Sequence, residues 1–194
     1  MLSFSLKAER PPLLSPMTKS KRLTNKTIVM LVLLGGMIGG LVWDGSPLGS
    51  LAVRTAVQLR FKDVRQVTPA ELVAWMRDPS RPPPLLIDAR PPAQFQLSHI
   101  AGSVEIDPTA PDLAPLVNVA RDIPLVVYDG PGVVSSAMAQ ALVTAGFSRV
   151  SSLDGGMFRW VNEGMPIADE QGPALKVDPV NWWWGRLLKR RYRP

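Results

Sequence analysis

The sequence predicts an α/β fold: a parallel sheet of four or five strands with helices on both faces, preceded by one transmembrane helix. Three stretches carry that prediction. Leu125-Val126-Val127-Tyr128 is a short apolar run with β-branched residues, the pattern of a buried strand. It ends at Asp129, turns through Gly130-Pro131-Gly132 and passes into an Ala/Met/Leu-rich helical pattern over 136–145. Strand, glycine turn and helix form a unit of α/β sheets in which the N–H groups at the helix start can cradle an anion. Upstream, Val64-Arg65-Gln66-Val67 reads as a strand, and Thr68, Pro69 and Glu71 follow as N-cap, first helical residue and capping-box partner. Far from both, residues 27–43 carry no charge at all.

The elements follow in chain order. Residues 1–26 form a basic tail with six Lys/Arg against Glu9. The uncharged stretch 27–43 would span roughly 26 Å as a helix, near the short end for a membrane span. Lys19, Lys21, Arg22 and Lys26 precede it, and Trp43 and Asp44 close it. A cleaved signal peptide is the rival reading; no clear small-residue cleavage site follows, and the basic region before it is long, unless Met17 is the true start. Gly35, Gly36, Gly39 and Gly40 stack four apart and would give one helix face that admits close approach of another membrane helix. Four basic residues lie close before the span and Arg54, Arg60 and Lys62 follow further off, a bias that favours a cytoplasmic N-terminus and a periplasmic or lumenal domain over the opposite orientation.

Residues 44–63 read as a connector in which 51–61 could form an amphipathic helix with Leu51, Ala52, Ala56 and Leu59 on one side. The helix after Thr68 runs to about Arg77 and buries Leu72, Val73 and either Trp75 or Met76. Residues 78–84 form a proline-rich extended loop. Val104 to Ile106 is a short strand, and a helix around 113–119 would pack Leu113, Leu116 and Val117. Gly155-Gly156 turns the chain into a helix containing Trp160, read as a core residue.

Composition excludes several chemistries. The 194-residue chain has no cysteine, which removes disulfides, thiolate metal sites and thiol catalysis, and one histidine, which leaves little for a His-based metal site or triad. No metal and no cofactor are expected. The net charge of +6 sits at the two ends, because residues 181–194 hold five Lys/Arg and no acid while the middle is acidic. Next to an apolar span, basic ends suit anionic lipid and not nucleic acid.

The loop and its surroundings resemble a known family. The rhodanese (sulfurtransferase) family reads V-V-Y-C-x-x-G-x-R-S where this chain reads Val126-Val127-Tyr128-Asp129-Gly130-Pro131-Gly132-Val133-Val134-Ser135. Leu86-Ile87-Asp88-Ala89-Arg90 is similar to the family's L-I-D-x-R strand. Phe95 and Ser98-His99-Ile100-Ala101-Gly102-Ser103 resemble its F…x-H-I-x-G-A segment. Ala145-Gly146-Phe147, Val150, Leu153-Asp154-Gly155-Gly156-Met157, Trp160, Gly164 and Pro166 match its closing pattern. The resemblance spans residues 64–170. It implies a sheet with the site at the 129–135 loop, and makes Asp88, Arg90 and His99 residues that organise nearby loops rather than catalysts.

What the resemblance implies about activity is negative. The family's nucleophile is a cysteine whose thiolate is held by the loop N–H groups and the helix start. Asp129 occupies that position, and Val134 occupies that of the loop arginine. Gly132 and Ser135 are kept. A carboxylate carries no persulfide, so the chain reads as a pseudoenzyme with Asp129 as a built-in anion in the cradle.

The extension 171–194 combines Trp182, Trp183 and Trp184 with Arg186, Lys189, Arg190 and Arg191, a pairing suited to a membrane interface or a protein partner. Some membrane-linked members of the family carry a similar P-x-N-x-x-W-G-x-L-L segment, which would instead dock Trp184, Leu187 and Leu188 on the domain itself. Three functions are open: an inactive membrane-anchored module serving as a binding or structural subunit of a membrane complex, contacting lipid and other membrane subunits through the span and the tail; an anion-binding or sensing module using loop 129–135; and an enzyme with replaced, carboxylate-based chemistry.

Overall fold

The computed structural model describes residues 47–110 and 112–194. The predicted span at 27–43, with Gly35, Gly36, Gly39 and Gly40, lies outside the described residues. Among the described residues no helix is long and apolar enough to cross a membrane.

Helix α1 (Pro47–Arg60) leads into a five-stranded parallel sheet of β1 (Arg65–Val67), β2 (Leu85–Asp88), β3 (Val104–Glu105), β4 (Leu125–Tyr128) and β5 (Val150–Leu153) in the order β1-β5-β4-β2-β3. The central strand β4 pairs Leu125–Val127 with Val150–Ser152 of β5 and Leu125–Tyr128 with Leu85–Asp88 of β2. All four residues of β4 are buried, which is why the run is apolar throughout and not alternating.

Successive side chains of each strand enter opposite cores. Leu86, Val126 and Tyr128 join Leu72 and Trp75 of α2 (Pro69–Arg77) and Met157, Phe158, Trp160 and Val161 of a later helix, α5 (Gly156–Asn162). Ile87, Leu125 and Val127 join Ala139 and Leu142 of α4 (Val133–Thr144). Helices therefore cover both faces. α2 starts as its sequence dictates: Thr68 accepts from the Glu71 N–H, and the Glu71 carboxylate accepts from the Thr68 N–H. Between β2 and β3 lies the short α3 (Pro92–Leu97); after α5 come the hairpin strands β6 (Ile167–Asp169) and β7 (Gly172–Ala174), then α6 (Trp182–Gly185).

Several sequence expectations need correction. The face of α1 that packs is Val53 and Val57, with Leu51 and Leu59 exposed, because Arg54 is drawn onto the domain by Asp154. In α2 the choice left open between Trp75 and Met76 falls to Trp75, which is buried while Met76 is exposed; the indole Nε1 donates to the Pro82 carbonyl. The 113–119 helix is only a 3-10 turn at Ala114–Leu116, and Val117 is exposed. α4 begins three residues earlier than expected because Gly132, at φ 98°, turns the chain directly into the helix.

Candidate functional site

The site is the turn between β4 and α4. Asp129 follows the last residue of the central strand and is buried, 3% exposed. Its Oδ1 accepts from the Ser135 hydroxyl at 2.7 Å, and its Oδ2 accepts from the Val134 N–H at 3.2 Å. The carboxylate thus takes up donors at the start of α4 that would otherwise face an anion from outside. Burial pushes the Asp129 pKa up, and hydrogen bonds from Ser135, Val134 and Gly132 only partly oppose that.

Beneath the carboxylate runs a buried hydroxyl chain. Ser135 Oγ lies 3.0 Å from Ser152 Oγ, Ser136 Oγ lies 3.1 Å from Ser152 Oγ and 2.9 Å from the Gly132 carbonyl, and Gln66 Nε2 donates to Ser136 at 3.3 Å. Each hydroxyl has one proton. With the Ser135 proton committed to Asp129, Ser152 donates to Ser135. The Ser136 proton is then shared between Ser152 and Gly132. The Ser152 and Ser135 protons point toward the carboxylate, an arrangement that suits an acceptor at its end. Gln66, Ser136 and Ser152 were not singled out in the sequence; the signal available was a pair of serines in the buried strand β5.

The loop is held from one side by α5. Met157 N–H donates to the Asp129 carbonyl at 2.8 Å and Phe158 N–H to the Gly130 carbonyl at 3.0 Å. Gly156 permits this approach: a Cβ there would lie 2.4 Å from the Asp129 carbonyl oxygen and 2.5 Å from that of Gly130.

The loop is also covered. Gly130, Pro131 and Gly132 are buried, Val133 is half-buried and only Val134 is exposed. A Cβ on Gly130 would meet both the Phe158 ring and a Val180 methyl at 3.2 Å, so the tail rests directly on the turn. Val180 sits at φ 65°, an uncommon conformation for a β-branched residue. Ser50, Val53 and Arg54 of α1 and Leu187 of the tail enclose, with Pro131, Gly155, Phe158 and Arg159, a hollow of about 10 Å³. That is room for a single water at most. Arg54 clamps α1 in place, its Nε 2.8 Å from Asp154 Oδ1 and its Nη2 2.7 Å from Oδ2.

The loop-organising residues lie one strand away. Arg90 grips Asp88 through two bonds, Nε to Oδ1 at 2.8 Å and Nη2 to Oδ2 at 2.6 Å, and Nη2 also donates to the Ser98 carbonyl at 2.5 Å. Both side chains are buried. Burial would lower the Arg90 pKa; the bonds and charge of Asp88 more than reverse it, so the guanidinium is held protonated. The pair pins the start of the segment that carries His99. His99 Nδ1 lies 3.0 Å from the Phe95 carbonyl, and its ring stacks on Phe95 at 4.2 Å. Among the described residues no His, Asp and Glu cluster could hold a metal ion.

The tail is divided. Leu187 and Leu188 are buried in the core, and Trp184 packs against it. Asn162 fixes that stretch, donating to the Leu187 carbonyl at 2.6 Å and accepting from the Lys189 N–H at 2.9 Å, while Lys189 Nζ donates to the Asn162 carbonyl at 2.6 Å. Trp184 thus packs as the self-docking alternative expects, while Lys189 bonds to Asn162 and stays exposed. Trp182 and Trp183 stay exposed, at 63% and 58%.

With this geometry in hand, comparison with known proteins places the chain. The family model for the rhodanese-like domain matches residues 68–163. Thiosulfate sulfurtransferase GlpE of Vibrio cholerae is 35% identical over 83 residues, 42% of this chain and 76% of GlpE. The uncharacterized protein YibN of Escherichia coli K12 is 34% identical over 86 residues, 43% of this chain and 59% of YibN. A thiosulfate sulfurtransferase crystal structure from Pseudomonas aeruginosa is similar at 27% identity, covering 55% of this chain and 20% of that one, with a TM-score of 0.49. The chain belongs to the rhodanese-like domain family. It spans about three fifths of the length of YibN.

Proposed function

We propose that this protein is a catalytically inactive rhodanese-like module, anchored in a membrane by residues 27–43, that serves as a binding or structural subunit of a membrane protein complex. The observation that carries the inactive reading is the carboxylate of Asp129, buried at the end of β4 and already accepting from Val134 N–H and Ser135 Oγ. The position resembles that of the family's sulfur-carrying cysteine. A carboxylate cannot accept a sulfane sulfur, and the chain has no thiol. The cover formed by α1, Val180 and Leu187 supports the same reading, since Gly130, Pro131 and Gly132 are buried beneath it. An anion-sensing role for the loop would require both the cover and the Asp129 carboxylate to be displaced.

Two measurements on the full chain test this. In a thiosulfate-to-cyanide sulfur-transfer assay the detergent-solubilised protein should show no rate above the uncatalysed background; a measurable rate overturns the inactive reading. In mild detergent, a chain tagged at its C-terminus should migrate on a native gel within a defined multi-subunit assembly. Migration as a lone monomer overturns the subunit reading.

A further inference from the structure

The exposed half of the tail has no role in sealing the loop. Trp182 and Trp183 meet edge to face, with ring centroids 4.6 Å apart, and the Arg186 guanidinium lies 4.1 Å from the first ring and 5.6 Å from the second. α6 is held at its start by Asn181, whose side chain accepts from the Trp184 N–H. This presents two large aromatic rings from a short, capped turn fixed to the core by Leu187 and Leu188. Residues 181–194 add five Lys/Arg and no acid.

The same side of the domain carries the start of α1. Val180, two residues before Trp182, rests on Gly130 beside Phe158, and Ser50 of α1 borders the hollow lined by that Phe158 and Pro131. The tail and the first turns of α1 therefore adjoin. α1 exposes Leu48 and Leu51 at 60% and 51%. Only residues 44–46 separate α1 from the uncharged stretch 27–43. The chain from Trp43 to Pro47 reaches at most roughly 14 Å, so an anchored stretch would keep the start of α1 at or near a headgroup layer roughly 5–8 Å deep.

We propose that Trp182, Trp183 and Arg186, together with Leu48 and Leu51, form a second contact with the membrane that engages anionic lipid headgroups and lays the loop-bearing side of the domain toward the bilayer. The inference rests on the anchor reading above for its geometry. Tryptophan rings favour headgroup depth, where the indole body is in apolar surroundings and the N–H is wet. Each nearby Lys or Arg adds attraction to an anionic surface. The charge and the distance to the anchor select lipid over a protein partner, for which a row of bases without one acid would need an equally one-sided acidic face.

The test uses the full chain in proteoliposomes of phosphatidylcholine, with or without phosphatidylglycerol, carrying brominated acyl chains. Trp43, Trp182 and Trp183 would then be the quenchable tryptophans, so the double variant Trp182→Phe/Trp183→Phe should lose roughly two thirds of the quenched emission. The loss should be larger with phosphatidylglycerol and should shrink in high salt or in Arg190→Glu/Arg191→Glu. Quenching equal to wild type in the double variant, with the chain still resisting carbonate extraction, overturns the proposal and assigns the aromatic pair to a protein partner. If carbonate strips the chain but the double variant still differs in quenching at neutral pH, the anchor reading falls and the lipid surface stands. If nothing binds vesicles under either condition, both fall.

Discussion

Ser135 Oγ donates to Asp129 Oδ1 at 2.7 Å, and that bond ties the first turn of α4 to the end of the central strand. It places a negative group where the loop's own donors converge, beneath a cover made by two distant parts of the chain. Restoring a thiol at this position would therefore not restore an open site. In Asp129→Cys the thiol should react with a disulfide reagent at least about tenfold more slowly than in the urea-unfolded chain, because exposure controls thiol reactivity along with pKa. Adding Leu187→Ala, which loosens the tail, should raise that rate. Immediate labelling of the single variant would show that α1 and Val180 do not seal the loop.

The same carboxylate makes stability depend on pH. Its folded pKa is raised above the ordinary 3.8 chiefly by burial. Between the unfolded and the folded value the native state holds the extra proton, so stability falls as pH rises through that window and does not recover above it. Asp129→Asn removes the titration. Urea denaturation of both proteins from acid pH upward should show wild type losing stability relative to the variant. The variant carries its own fixed cost, about 1–3 kcal/mol, if its amide group faces the Val134 N–H. A stability difference that stays flat with pH would place the folded Asp129 pKa at its ordinary value.

Much of this arrangement is legible in the sequence, and the illegible parts share one cause. The all-apolar run Leu125–Tyr128, the glycine turn and the Thr68–Glu71 capping box are local signals; β4 and α2 form where those signals put them, and α4 starts three residues early. The face of α1 is not local. Leu51, Ala52, Ala56 and Leu59 fit helical spacing as well as Val53 and Val57 do, and the choice is made by Asp154, 100 residues from its partner Arg54. The hydroxyl chain is hidden for the same reason, since Gln66, Ser136 and Ser152 come from three different elements. Val180 on Gly130 is a contact between a tail and a turn that no spacing rule connects. Motifs located the loop; only tertiary structure shows that it is closed.

The Asp88–Arg90 pair is a structural commitment whose removal from one side is costly. Both groups are buried and each satisfies the other's charge, while Arg90 also holds the Ser98 carbonyl. Asp88→Asn leaves a buried guanidinium without its counter-charge, and Arg90→Leu leaves a buried carboxylate. Each should cost about 3–5 kcal/mol. Arg90→Lys should cost nearly as much, because an ammonium cannot reproduce the two parallel bonds. Urea denaturation measures all three. A loss below about 1 kcal/mol in Arg90→Lys would mean that charge alone, and not the fork, holds this corner.

Gly156 and Gly102 provide a matched comparison of two left-handed glycines. At Gly102 (φ 80°) an added Cβ would meet nothing within 4 Å, so Gly102→Ala carries only the backbone penalty, about 1–2 kcal/mol. At Gly156 (φ 55°) the same methyl would enter the space of two backbone carbonyls, at 2.4 and 2.5 Å, and lie 2.9 Å from Gly132 N. Backbone cannot step aside as a flexible side chain would, so the loop or α5 must move. Moving either breaks the bonds from Met157 and Phe158 to the Asp129 and Gly130 carbonyls. Gly156→Ala should therefore cost about 3 kcal/mol or more and, placed in the Asp129→Cys background, should speed thiol labelling. Equal stability losses for the two glycine variants would mean that the close approach of α5 does not hold the loop, and that its closed state depends on α1 and the tail alone.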